Sequence, residues 1–143
     1  MNETQKVDIK LTTTIKQDNE DFEHSIENSG IIEEKDDRFV LNFIDENEEG
    51  RFFIRFDLLK TGEVLLNRQS SDQQNMSDFY FKEKEQKEVI YKTSYGVMSL
   101  VAQTTYLLSD IDNGQVEIDY LLFQQKQLVG EYKLRLIFSA VIG

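Results

Sequence analysis

Residues 110 to 120 read Asp110-Ile-Asp-Asn-Gly-Gln-Val-Glu-Ile-Asp-Tyr120, an Asn-Gly pair followed by alternating apolar and acidic side chains. Two structures compete for such a stretch: a cation-binding loop, and a tight turn between two antiparallel strands. Asn and Gly best tolerate the positive φ that a type I′ turn requires at both central residues, so the pair beside an alternating run is a strong hairpin signal. With Asn113 and Gly114 as a two-residue turn, Asp112 opposes Gln115, Ile111 opposes Val116, Asp110 opposes Glu117 and Leu107 opposes Tyr120. Leu107, Ile111, Val116, Ile118 and Tyr120 then share one face, while Asp110, Glu117 and Asp119 share the other. A helix-flanked calcium loop instead needs alternating oxygen ligands, a central glycine and a terminal bidentate glutamate. Asp110-Ile-Asp-Asn-Gly falls a position short before its glycine, and the frame that starts Asp45-Glu-Asn-Glu-Glu-Gly50 ends on Phe56 inside an apolar alternation. No metal is expected.

The same period of two runs through the chain. Val7, Ile9, Leu11, Thr13 and Ile15 alternate with polar residues, as in a strand with one face buried and one wet. Phe22 and Ile26 repeat the pattern, followed by Phe39, Leu41 and Phe43, then Phe52, Ile54, Phe56 and Leu58, then Val64 and Leu66. Phe79 and Phe81 come next, then Val89, Tyr91, Thr93 and Tyr95, and three longer runs occupy 96–112, 114–125 and 127–138. About ten strands with turn signals every 8 to 12 residues mark an antiparallel sandwich or barrel, and the absence of proline leaves every strand free to pair centrally. One segment, Lys-Glu-Lys-Glu-Gln-Lys-Glu at residues 82–88, fits either a short helix or a charged loop. A bulge near Thr104 and Thr105 would switch which face of the long strand points inward.

Composition narrows function by exclusion. The 143 residues suffice for a single domain over 1–143, and 16 basic against 27 acidic residues give a formal charge of -11. Such a balance does not draw in phosphate backbones or anionic membrane surfaces, so nucleic acid and membrane are not expected partners. The acidic runs at 18–21, 33–37 and 45–49 fall between apolar alternations and read as solvated hairpin tips. Without cysteine the chain has no disulfide, thiolate or thiol nucleophile, and with His24 as its one histidine it lacks the usual zinc ligand sets. His24 sits at the apolar period of its strand and is expected to be a half-buried structural imidazole. No phosphate loop, dinucleotide fingerprint or nucleophile elbow appears, no cofactor is expected, and paired carboxylates are the one catalytic apparatus left. No catalytic residue is nominated. No signal peptide or stretch of about 18 apolar residues is present, which predicts a cytoplasmic protein.

Arg68 has the parity of Val64 and Leu66, so its guanidinium is predicted to face inward. It is either a structural cation satisfied by a carboxylate and backbone carbonyls, or an anchor for an anionic ligand with Tyr91, Tyr95 and Tyr120 along the walls.

The C-terminal half resembles a known family. Val64-Leu-Leu-Asn-Arg68, Asn75-Met76, Tyr91-Lys-Thr-Ser-Tyr-Gly96, Gln103-Thr-Thr, Asp112-Asn-Gly and Val116-Glu-Ile-Asp-Tyr120 are similar in content and spacing to the YwiB-like family of uncharacterised bacterial proteins, over residues 60 to 138. The resemblance implies a closed calycin-like, lipocalin-like antiparallel β-barrel of about 8 to 10 strands and a bacterial cytoplasmic origin, with no activity to carry over. The chain lacks tryptophan, and so lacks the Gly-x-Trp signature of true lipocalins. Three functions follow as expectations: a barrel that binds a small ligand, a filled barrel that works through its surface or as a homodimer, and, as a residual reading, a carboxylate-based enzyme. The second draws on Gly96-Val-Met-Ser-Leu-Val-Ala102, apolar at both parities and in need of a cover.

Overall fold

A computed structural model describes residues 3–141, which form ten strands and no helix. In chain order they are β1 (Glu3–Gln17), β2 (Glu20–Glu34), β3 (Arg38–Asn47), β4 (Gly50–Leu59) and β5 (Val64–Ser70), then β6 (Met76–Phe81), β7 (Gln86–Thr93), β8 (Gly96–Asp110), β9 (Gln115–Gln124) and β10 (Gln127–Ala140). Each strand pairs antiparallel with its sequence neighbours, and β1 pairs with β10, from Val7 opposite Ala140 to Lys16 opposite Glu131, to close a barrel. Closure removes the free edges that an open all-β sheet would present, except along β2 and β3, which pair over Gly30 to Glu34 alone.

The period-two pattern sets the inside. Val7, Ile9, Leu11, Leu41, Phe43, Ile54, Phe56 and Leu58 are buried, and the core continues through Val64, Phe81, Val89, Ile118, Leu134 and Leu136. Each such side chain contributes roughly 1.5–3 kcal/mol when fully buried. The five alternate turns, β1–β2, β3–β4, β5–β6, β7–β8 and β9–β10, gather at one end of the barrel, the hairpin end, and the other four turns lie with the chain termini at the opposite end. At the terminus end Phe56, Leu58, Phe81, Val64 and Val116 are all but inaccessible. Toward the hairpin end Phe22 and Tyr91, whose registers place them inward, stay 49% and 39% exposed. The interior is close-packed toward the terminus end and unevenly packed toward the hairpin end, where Phe52 and Asp45 are buried while Phe22 and Tyr91 are not.

Two local expectations are corrected, and the choice between helix and charged loop at 82–88 falls to the loop over 82–85. Asn113 and Gly114 are not a two-residue turn: Asp110 opposes Gln115 and Leu107 opposes Ile118, leaving a four-residue loop, Ile111 to Gly114. Only Gly114 of that loop has positive φ, its N–H donates to the Ile111 carbonyl at 3.0 Å, and the Asp110 carboxylate accepts from the Asn113 amide and backbone. The pairing differs from expectation by two residues, which preserves the faces, because the side-chain period is two. Paired positive φ occurs instead at Asp18-Asn19 and Gln125-Lys126, in the β1–β2 and β9–β10 turns. Residues 82–88 are a turn followed by β7, held by Lys84 N–H to the Thr104 carbonyl and Thr104 N–H to the Glu85 carbonyl. His24 is exposed rather than half-buried, with Nε2 4.0 Å from the carboxylate of buried Asp45.

The bulge in β8 falls between Thr104 and Tyr106. Met98, Leu100, Ala102 and Thr104 point inward before it, and Leu107 and Ser109 after it.

Candidate functional site

The register carries one row of side chains across the interior toward the hairpin end of the barrel. Ile54 of β4 lies opposite Arg68 of β5, Arg68 opposite Ser77 of β6, Ser77 opposite Tyr91 of β7, and Tyr91 opposite Met98 of β8. Directly opposed residues point to the same face of a sheet, so Arg68, Ser77 and Tyr91 all face inward. β5 can deliver Arg68 because Val64-Leu-Leu-Asn-Arg68 alternates without a bulge.

Arg68 is half-buried, with its guanidinium carbon 3.7 Å from the centroid of the Phe52 ring. No described carboxylate forms an ion pair with it. The ring face attracts the cation electrostatically but supplies no hydrogen-bond acceptor of carboxylate strength. Asp45, on the next row toward the hairpin end, accepts a hydrogen bond from Asn47 at 3.2 Å.

Tyr91 takes its expected place on the wall. Tyr120 is inward as expected and nearly inaccessible, stacked on Tyr132 at 4.9 Å and tilted against Phe81 at 4.9 Å and Phe79 at 5.6 Å. Burial pushes its phenol pKa up, so Tyr120 stays neutral and fills space beside the site. Tyr95 does not line the wall: β7 ends at Thr93, and Tyr95 is wholly exposed in the turn. The Thr93 hydroxyl accepts from Tyr95 N–H at 3.1 Å and donates to the Gly96 carbonyl at 3.3 Å, which fixes that turn before Tyr95.

Sequence reasoning passed over Ser77 and Phe52 as parts of the Arg68 row and its neighbour. Parity could have found Asp45, which shares the inward face of Leu41 and Phe43, yet sits in an acidic run read as a hairpin tip. A second polar cluster lies on the outer wall, where Arg55 Nε and Arg38 Nη1 donate to the buried Asp57 carboxylate at 2.7 and 2.8 Å. Burial raises the Asp57 pKa, and the two guanidiniums more than offset it, leaving the carboxyl below its ordinary value.

No helix among the described residues is long and apolar enough to cross a membrane. A search of curated proteins finds no match. Among solved structures the chain is similar to the ywiB protein from Bacillus subtilis, with a TM-score of 0.74 over 96% of this chain and 94% of that one, at 17% identity. At that identity the likeness speaks for the fold alone, an all-β barrel of calycin-like form. The family described as a domain of unknown function, DUF1934, matches residues 9–136, and the chain belongs to it.

Proposed function

We propose that the protein binds a small anionic molecule in the hairpin end of its barrel, with Arg68 as the anchoring cation. The observation that carries this is an inward guanidinium with no carboxylate partner among the described residues. Most interior arginines of a packed domain are paired, because burying an unpaired charge is costly. Here the Phe52 face steadies the cation and leaves its N–H groups available for the two parallel bonds that a carboxylate or phosphate accepts. Ser77 and Tyr91 add hydroxyl donors on the same row. Small barrels either fill their interior or hold one small ligand, and the exposure of inward Phe22, Tyr91 and Met98 favours the second at this end.

A surface-acting or dimeric barrel draws on Ile90 and Val97, which are 49% and 70% exposed on the outer wall of β7 and β8. One experiment separates the two readings: non-denaturing mass spectrometry of the protein purified gently from its own host, as wild type and as Arg68→Met. A stoichiometric small anion on the wild type, lost in the variant, supports the anion site. A bare mass in both overturns it, and a bare dimer favours the outer surface.

A further inference from the structure

All of β2, from Glu20 to Glu34, pairs with β1, but only Gly30 to Glu34 pair with β3. β3 keeps its other neighbour, β4, as far as Asn47. The edges at residues 21–29 and 44–47 therefore carry no ladder between them, and the wall has a slit. Gly30 sits at the fork, where an added Cβ would stand 2.5 Å from Ile9 Cδ1 and 2.6 Å from the Asn42 carbonyl oxygen. Glycine lets the two strands close there and diverge beyond.

An unladdered strand edge presents backbone N–H and C=O groups that an added strand can bind. The slit, open to solvent, holds about 810 Å³, with Ile26, Phe43 and Ile54 among its inner lining, Ile31, Ile44 and Phe53 on its outer rim, and Lys6 beside them. The three apolar rim residues are 48%, 36% and 47% exposed, and Ile44 and Phe53 are directly opposed across β3 and β4. Asn28 partly imitates the missing strand: its side-chain amide donates across the slit to the Ile44 carbonyl, and its Oδ1 accepts from Ser29 N–H at 2.8 Å.

Charge selects the occupant. Residues 18–29 carry five carboxylates and residues 44–51 carry four, against the single Arg51. Of the carboxylates that line the slit, Glu46 pairs with Arg51, Glu27 lies 3.8 Å from Lys10 and Asp45 4.0 Å from His24. Those without a basic partner among the described residues, Asp18, Glu20, Asp21, Glu23, Glu48 and Glu49, stand on the two hairpin tips that flank its wide end. A second copy of this chain meeting it slit to slit would bring the same carboxylates to the same place, and its net charge of -11 opposes close approach.

We infer that the slit is a docking site for an extended basic segment of another protein, which adds as a strand between β2 and β3. Since β2 and β3 are antiparallel, the segment runs parallel to one and antiparallel to the other. Alternate apolar side chains rest on Ile44 and Phe53, and the lysines or arginines between them meet the carboxylates.

The test uses the full chain and a short synthetic peptide alternating lysine and valine, a glutamate-valine counterpart, and a lysine-valine peptide N-methylated at alternate positions. Amide hydrogen exchange should show saturable protection at 22–27 and 45–47 with the first peptide, beyond the point where Asn28 bonds across to Ile44. Affinity should fall by at least about ten-fold for the glutamate peptide and with rising salt. The exposed double substitution Glu23→Lys with Glu27→Lys should weaken binding by a similar factor while circular dichroism and melting stay unchanged. Protection elsewhere, no saturable protection, indifference to charge, or full binding by the N-methylated peptide would each overturn the inference.

Discussion

Gly114 fixes the last loop at the terminus end through one missing methyl group. Its φ is +64°, and a Cβ there would stand 1.9 Å from the Phe138 carbonyl oxygen, while Phe138 N–H donates back to the Gly114 carbonyl at 2.9 Å. Gly114→Ala is expected to cost about 3 kcal/mol, since strain and a backbone collision act together. Gly62→Ala has comparable strain at φ +110° but open space around its Cβ, and should cost about 1 to 2 kcal/mol. Urea midpoints of the two variants, at unchanged denaturant slope, check the order. Asp57 supplies a pH-dependent case. Its folded pKa lies below its ordinary value, so its contribution is fully present above the unfolded pKa near 3.8 and is lost as pH falls through the lower folded value. Asp57→Asn should therefore be less stable than wild type by about 1 to 2 kcal/mol at neutral pH, a modest figure because both guanidiniums reach solvent. The gap should close below about pH 4, as stability measured against pH would show.

At the scale of the strand, faces were more legible than partners. Alternation alone put Val7, Ile54, Phe56 and Val116 inside, because burying a face requires period two whatever the neighbour. Pairing depends on loop length, and Asn113-Gly114 could not reveal that the Asp110 carboxylate and the Gly114 αL conformation build a longer loop. The inward place of Arg68 followed from parity, whereas its lack of a carboxylate depended on distant strands and was not readable. Tyr95 failed as a wall residue because alternation does not say where a strand stops. The β8 bulge was foreseen as a question and needed the partner strand to answer it. Its inward Thr104 is 1% exposed, and its hydroxyl has no hydrogen-bond partner in the structure. Thr104→Val keeps the shape and removes the unsatisfied oxygen, so it should stabilise the protein by about 1 kcal/mol, seen as a higher urea midpoint. A loss of stability would mean that a water serves that hydroxyl.

At the scale of the whole molecule, the two ends of the cylinder differ in packing, with the closely packed side chains gathered toward the termini. Strands that span both ends let the packed half hold the geometry of the other, and the proposed Arg68 anchor is held by ladders on both sides of β5. Stability should then be distributed unequally among inward aromatics that the sequence makes look alike. Phe81, fully inaccessible and 4.9 Å from the Tyr120 ring, leaves a cavity when truncated, and Phe81→Ala should cost about 3 to 5 kcal/mol. Tyr91 faces inward too, yet it is 39% exposed, and Tyr91→Ala should cost less than about 1.5 kcal/mol because water already reaches the space it vacates. Denaturant unfolding of both variants decides the matter. Similar large losses would mean that the hairpin half is packed in solution and leaves no room for a ligand, whereas a wide separation is what a barrel filled at one end alone requires.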